Sequence, residues 1–254
     1  MTTSTKAKTP QRMNKAVHVE TALKELGLDL ESELSQQQSE IRINPPRVRI
    51  EHSSSGRHRM FIDLGESYFD SAPESIDIEN NHLEGIVAIA QPVRALFQEG
   101  ESLPICAAIE NTPTVQDPIS KSCIGCPEAI IGSGRCKAKI RLFLVTEYSG
   151  QPQVVVFPLS PTSIKRWRSH LKRLQRSKLP YIAVHTLFSL LDIERGPYRY
   201  AEVNVQADRL ATKEEIAQAV IVRQEYASFI SQLEQTDFSD PGDKQSSDKA
   251  VSTQ

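Results

Sequence analysis

Lys139-Ile-Arg-Leu-Phe-Leu-Val-Thr146 is followed by Val154-Val-Val-Phe157 and then by Ser160-Pro-Thr-Ser-Ile-Lys-Arg-Trp-Arg-Ser-His-Leu-Lys-Arg-Leu-Gln-Arg-Ser-Lys178. The first two runs are short, apolar and rich in β-branched residues. Ser149-Gly-Gln-Pro152 between them is turn-forming, so the pair predicts a β-hairpin. The third run predicts a helix, with Ser160 as N-cap and Pro161 at the first helical position. Ile164, Trp167, Leu171 and Leu174 recur at spacings of 3, 4 and 3 and form one apolar stripe, and Pro180 ends the helix.

Working outward, Leu83-Glu-Gly-Ile-Val-Ala-Ile-Ala90 predicts a buried strand, and Arg57–Leu64 and Ile41–Ile50 predict two more before it. Tyr68–Asn81 is polar and acidic and reads as a loop. Downstream, Tyr181–Ile193 and Tyr198–Val205 predict strands around Arg195-Gly-Pro197. In the second, Tyr198, Tyr200, Glu202 and Asn204 fall on one face and Ala201, Val203 and Val205 on the other. A last helix starts at Thr212 with Glu215 three residues on, the pattern of a capping box, and Ile216, Val220, Ala227, Ile230 and Leu233 make its apolar side.

The resulting order is strand, cysteine segment, two strands, helix, two strands. Five strands with a helix between the third and fourth is the order of an OB barrel, a fold that binds oligonucleotides. The expected class is therefore mainly β with α (α+β): an OB-like five-stranded barrel with a four-cysteine insertion, extra N-terminal strands and a C-terminal helix. The expected organisation is a flexible arm over 1–40 and an OB-like domain over 41–210 with the insertion at 104–138. A helix over 211–236 and a disordered tail over 237–254 follow.

The chain has 254 residues and 39% apolar content, with no run of 18 apolar residues that would span a membrane. Its polar N-terminus lacks the apolar core of a signal peptide, which predicts a cytoplasmic location. The net charge of −2 hides a strong segregation. Residues 63–128 carry twelve acids against Arg94 and Lys121, whereas 135–178 carry eleven bases against Glu147 alone. The basic block is the part suited to a polyanion.

The only cysteines stand as Cys106-x16-Cys123-x2-Cys126-x9-Cys136. A Cys-x-x-Cys pair presents two thiolates to one ion, and two distant cysteines can complete a tetrahedral set, so Zn2+ is the expected ligand. With all four positions supplied by protein, the site would be structural and could not activate water. An iron–sulfur cluster and metal-free or redox-active thiols are the alternatives.

Lys165, Arg166, Arg168, Lys172, Arg173, Arg176 and Lys178 put seven cations on the expected helix with no acid between them, a pattern that can follow phosphates. Phe143, Phe157, Trp167, Tyr181, Tyr198 and Tyr200 are candidates for base stacking, with Trp167 better explained as core. Arg141 and Phe143 are two apart on a strand and share a face that could meet nucleic acid. No Walker loop, dinucleotide fingerprint or Gly-x-Ser-x-Gly occurs, and His185 reads as a core residue, so no enzymatic activity is expected.

Cys123-Ile-Gly-Cys-Pro127, Gly134-Arg-Cys-Lys137 and Arg141-Leu-Phe-Leu144 resemble segments of phage and mobile-element proteins that carry four cysteines. The layout is also similar to the zinc-bearing OB domain of the large replication protein A subunit, although the cysteine spacing differs. The resemblance implies a single-stranded DNA-binding accessory of replication or recombination. Expected partners are single-stranded nucleic acid, DNA ahead of RNA, and replication or recombination proteins reached through the acidic tail. A zinc-stabilised protein-interaction adaptor, or an RNA-binding protein, is the alternative.

Overall fold

The computed structural model describes residues 21–22, 24–27, 29, 45–53, 57–66, 73–98, 104–130, 134–148, 150–196, 198–227 and 230. The chain divides into two compact units, 1–44 and 45–254. In the first, Thr21, Ala22, Lys24 and Glu25 are helical, and Gly27, with a φ of 75°, ends the turn. Most of the expected arm and all of the expected tail over 237–254 lie outside the described residues, as does Leu233.

The second unit is mainly β with two helices. Its strands are β1 (Arg47–Glu51), β2 (Arg59–Glu66), β3 (Pro73–Asp77), β4 (His82–Phe97), β5 (Pro104–Ile109), β6 (Thr112–Pro113), β7 (Lys137–Tyr148), β8 (Gln151–Leu159), β9 (Val184–Arg195) and β10 (Tyr198–Leu210). The helices are α1 (Pro161–Arg176) and α2 (Lys213–Glu225). All ten strands join one sheet in the order β10-β9-β4-β7-β8-β1-β2-β3, with β5 and β6 branching from β4. Every pairing is antiparallel except β1 with β8.

The sheet curls into a half-barrel. Phe157 on β8 and Phe188 on β9 are separated by β4 and β7, which in a flat sheet would hold them about 14 Å apart at the usual strand spacing. Their ring centroids are 5.6 Å apart, so the two strands face each other across a concave core. That core takes Val48, Met60, Leu83, Val87, Leu142, Leu144 and Val203 together with Trp167 of α1.

Strand β7 is buried on both faces. Ile140, Leu142 and Leu144 enter the concave core, while Phe143 and Val145 face the C-terminal segment. On β4 the register shifts between Val87 and Ile89, so an extra residue reverses the alternation there. Val87 and Ala90 consequently point into the core, whereas Ala88 and Ile89 pack toward α2. The two strands meet at Gly85, where an added Cβ would stand 2.5 Å from the Val145 carbonyl oxygen.

Helix α1 lies along the outer edge of β10 and covers its unpaired backbone groups, which removes an edge open to aggregation. The Val203 amide donates to Ser163 Oγ at 2.9 Å and the Val205 carbonyl accepts from Arg173 Nη2 at 2.9 Å. The Ala201 amide donates to His52 Nδ1 at 3.4 Å, which ties the end of β1 to β10. Helix α2 has the capping box expected at Thr212 and Glu215 and buries Ala219 and Val222 against Ile86 and Ala88. Val220, expected on its apolar side, is exposed, and Ile216 is half-buried.

One expectation requires correction. The polar Tyr68–Asn81 segment contains β3, which gains its strand from antiparallel pairing with β2 rather than from an apolar pattern of its own. The expected extra N-terminal strands join the same sheet, with β1 adding to β8 and carrying β2 and β3 with it. No helix among the described residues is long and apolar enough to cross a membrane.

Candidate functional site

The cysteine insertion hangs from the far half of β4. Cys106 on β5 pairs with Leu96, and β6 turns the chain into the loop that carries Cys123 and Cys126. The Cys123 amide donates to the Asn111 carbonyl at 3.1 Å, and Gly125 between the pair has a φ of 79°. A short 3-10 turn, Pro127–Ala129, follows, and its Glu128 carbonyl accepts from the Cys136 amide at 2.9 Å. Gly134 makes this return possible, because a Cβ there would lie 2.2 Å from the same carbonyl oxygen. Glu128 and Arg135 clamp the loop with bonds of 2.8 and 3.1 Å, and these bonds hold the Glu128 carboxyl below the usual carboxylate range.

All four cysteines line one cavity of about 20 Å3, together with Leu96 and Ala129 among others. That volume is about what a single water or ion occupies. Burial raises the Cys123 thiol, and burial pushes Cys136 up to about 11, while the positive charge of Arg94 acts against both shifts. Arg94 is fixed by a 3.2 Å bond to the Ala129 carbonyl. The donor chemistry and the void fit a thiophilic ion, but the spacing is open. Among the described residues, only Glu84, His185 and Asp208 form a group of three metal-capable ligand atoms within 4.8 Å of one another. Sulfurs around one zinc stand about 3.8 Å apart, so the thiols would have to draw inward.

The structure divides the expected nucleic-acid contacts. Arg141 and Phe143 are both fully buried, so the face they share meets protein. Arg141 donates to Gln91 Oε1 at 3.1 Å and to the Ile230 carbonyl at 3.2 Å, and Phe143 lies 5.7 Å from the Tyr226 ring. Alternation puts these two residues together, and the C-terminal segment then covers them. Phe157 and Trp167 are likewise core.

On α1, Ser163, Ile164, Trp167, His170 and Leu174 are buried, which turns the opposite side outward. Arg166 is taken by Glu202, Nε to Oε2 at 2.8 Å, and Arg173 by the Val205 carbonyl. Lys165, Arg168, Lys172 and Arg176 are exposed, and none of them has a carboxylate partner among the described residues. Their spacings of 3, 4 and 4 keep them on one stripe about 16 Å long. Tyr198 is 72% exposed and Tyr200 half-buried. They share by alternation the strand face of Glu202, the residue that holds Arg166.

No family model, no curated protein and no solved structure matches the chain.

The reading of the residues missed His185, which is not sealed in the core. It stands half-buried beside Asp208, Nδ1 to Oδ2 at 3.7 Å. The antiparallel pairing of β9 with β10 brings the two together, and no local pattern announces it.

Proposed function

We infer that this protein is a sequence-tolerant single-stranded nucleic-acid-binding protein, DNA ahead of RNA, in which α1 and the outer face of β10 form the contact surface. The observation that carries this reading is the stripe of Lys165, Arg168, Lys172 and Arg176, exposed and without a carboxylate partner among the described residues, together with the exposed Tyr198 and the half-buried Tyr200 of β10. Cations that follow the backbone and rings that stack on bases are the two components of single-strand binding without sequence readout. The spatial order β9-β4-β7-β8 supports an OB-like barrel: with the β5–β6 excursion set aside, β9 is a fourth strand lying beside the first of three, which is the Greek-key arrangement.

The four cysteines would hold a structural Zn2+ that fixes the 104–138 excursion, with Cys106, Cys123, Cys126 and Cys136 as ligands. The ion-sized cavity that they share supports this assignment. A bound divalent cation would convert the two raised thiols to thiolates at neutral pH. A role in replication or recombination of a phage or mobile element follows from the sequence resemblance.

The test is fluorescence polarisation with labelled single-stranded and duplex oligonucleotides over a salt series, with metal content measured on the same sample. The expected result is salt-sensitive single-strand binding and one zinc per chain. Changing Lys165, Arg168, Lys172 and Arg176 together to Ala should lower the log–log salt slope by about 3, at roughly 0.7 per phosphate contact on a single strand. A wild-type affinity that barely changes with salt overturns the reading in favour of a protein-interaction adaptor.

A further inference from the structure

Away from the cysteines and from α1, three adjacent strands bring Glu84 of β4, His185 of β9 and Asp208 of β10 together. One ligand atom from each lies within 4.8 Å of the other two. The register explains why. His185 pairs with Ile86, so Glu84, two residues along β4, shares its face. On the other side Thr186 pairs with Ala207 and His185 with Arg209, which leaves Asp208 as the extra residue of a β-bulge. Continued without the bulge, the register would set Asp208 directly opposite His185 and on its face; the bulge leaves Asp208 beside His185 while Arg209 takes the paired position.

The surroundings favour a cation. Nδ1 of His185 is out of contact with solvent and makes no hydrogen bond, although it lies 3.7 Å from Asp208 Oδ2. A buried imidazole nitrogen without a partner is costly, and coordination to a metal would satisfy it. Arg209, the nearest positive group, is held by Glu215 through bonds of 2.7 and 2.9 Å. Glu84, Asp208 and Glu215 against Arg209 leave an excess of two negative charges, which a divalent ion would balance. Glu84 and His185 also line a cleft of about 460 Å3, and Asp77, Glu79 and Glu147 stand on its wall. That volume is ligand-sized, and the acidic lining disfavours entry by a polyanion.

The geometry points to a divalent transition-metal site formed by Glu84, His185 and Asp208. Two carboxylates and one imidazole suit manganese, iron(II) or zinc better than they suit a soft ion such as copper(I). Three protein ligands also leave coordination positions open toward the cleft, unlike the closed set that four thiolates would make. This site is independent of the nucleic-acid reading and of the cysteine cavity.

The experiment is a Mn2+ titration of the full chain, with free ion followed by electron paramagnetic resonance. Manganese favours oxygen and nitrogen donors, so the cysteines should not compete for it. One saturable Mn2+ per chain is expected. The Glu84→Gln/Asp208→Asn pair changes two exposed side chains and should keep the fold, and it should weaken binding at least tenfold. His185→Ala should do the same, whereas Glu147→Gln, on the same cleft wall, should change affinity less than twofold. Absence of saturable Mn2+ in the wild type overturns the assignment. So does a loss in Glu147→Gln equal to that of the double variant, since the acids would then act as a diffuse field.

Discussion

Two groups of cations in this molecule look alike as sequence and differ completely as structure. Arg141, with Phe143 beside it, sits on β7, and the stripe from Lys165 to Arg176 sits on α1. Both combine positive charge with aromatic neighbours. Arg141 is sealed beneath the C-terminal segment, where its guanidinium meets Gln91 and the Ile230 carbonyl. The α1 stripe faces outward because the helix has only one apolar side, and that side fills the space between β10 and the half-barrel core. A helix with a narrow apolar stripe declares which way it faces. A strand with two apolar neighbours at every position does not, because a sheet covered on both faces buries them all.

The largest expected effect separates the two groups by their energetics. Arg141→Ala removes a buried hydrogen-bonded side chain and leaves Gln91 Oε1 without its donor. It should cost about 3 kcal/mol in urea-induced unfolding, with affinity per folded molecule for single-stranded DNA unchanged. The four-alanine change on α1 should show the reverse, with stability held within about 0.5 kcal/mol and binding reduced. If Arg141→Ala weakens binding in proportion to the cationic stripe, the C-terminal segment must leave β7 when nucleic acid binds.

These differences mark what could be read from the residues. The β7–β8 hairpin, α1 with Trp167 inside, β10 with its alternation, and the Thr212 capping box all follow from local pattern, and each is present. The features missed are those that arise from pairing between distant segments. Strand β3 exists because β2 offers it an edge, and Asp208 meets His185 because β10 pairs with β9 in that register. The burial of Arg141 depends on Gln91 and Ile230, 50 and 89 residues away in the chain. The cysteine spacing pointed to four thiols around one ion; all four line one void, but no three of their sulfurs lie within 4.8 Å of one another, and spacing alone could not give those distances.

A second difference lies within α1 itself. Its buried side carries His170, whose two ring nitrogens are enclosed without hydrogen bonds beside Trp167. Burial, reinforced by the charge of Arg173, lowers its pKa to about 4. Below the unfolded value near 6.5, the unfolded chain takes up a proton that the folded chain refuses. Stability should therefore fall as pH drops from about 6.5 toward 4, by up to about 1.4 kcal/mol per pH unit, and should be unaffected above that window. His170→Leu should flatten this dependence in urea titrations at pH 5 and 7. An unchanged slope would assign the acid sensitivity to other groups.

The smallest effect concerns Arg166, which belongs to both groups at once. It lies on the cationic helix, yet Glu202 of β10 holds it at 2.8 Å, with the two side chains 35% and 18% exposed. A half-exposed pair of this kind contributes about 0.5 kcal/mol, so Glu202→Gln should barely alter stability. It should, however, free one more cation next to Tyr200. The expected outcome is a tightening of single-strand affinity by about twofold at low salt and a salt slope steeper by about 0.7, the contribution of one added phosphate contact. Arg166→Ala in the same background should abolish that gain. Were Glu202→Gln to leave both affinity and slope unchanged, the nucleic acid would pass along the outer stripe of α1 without reaching β10, and Tyr198 and Tyr200 would have no part in binding.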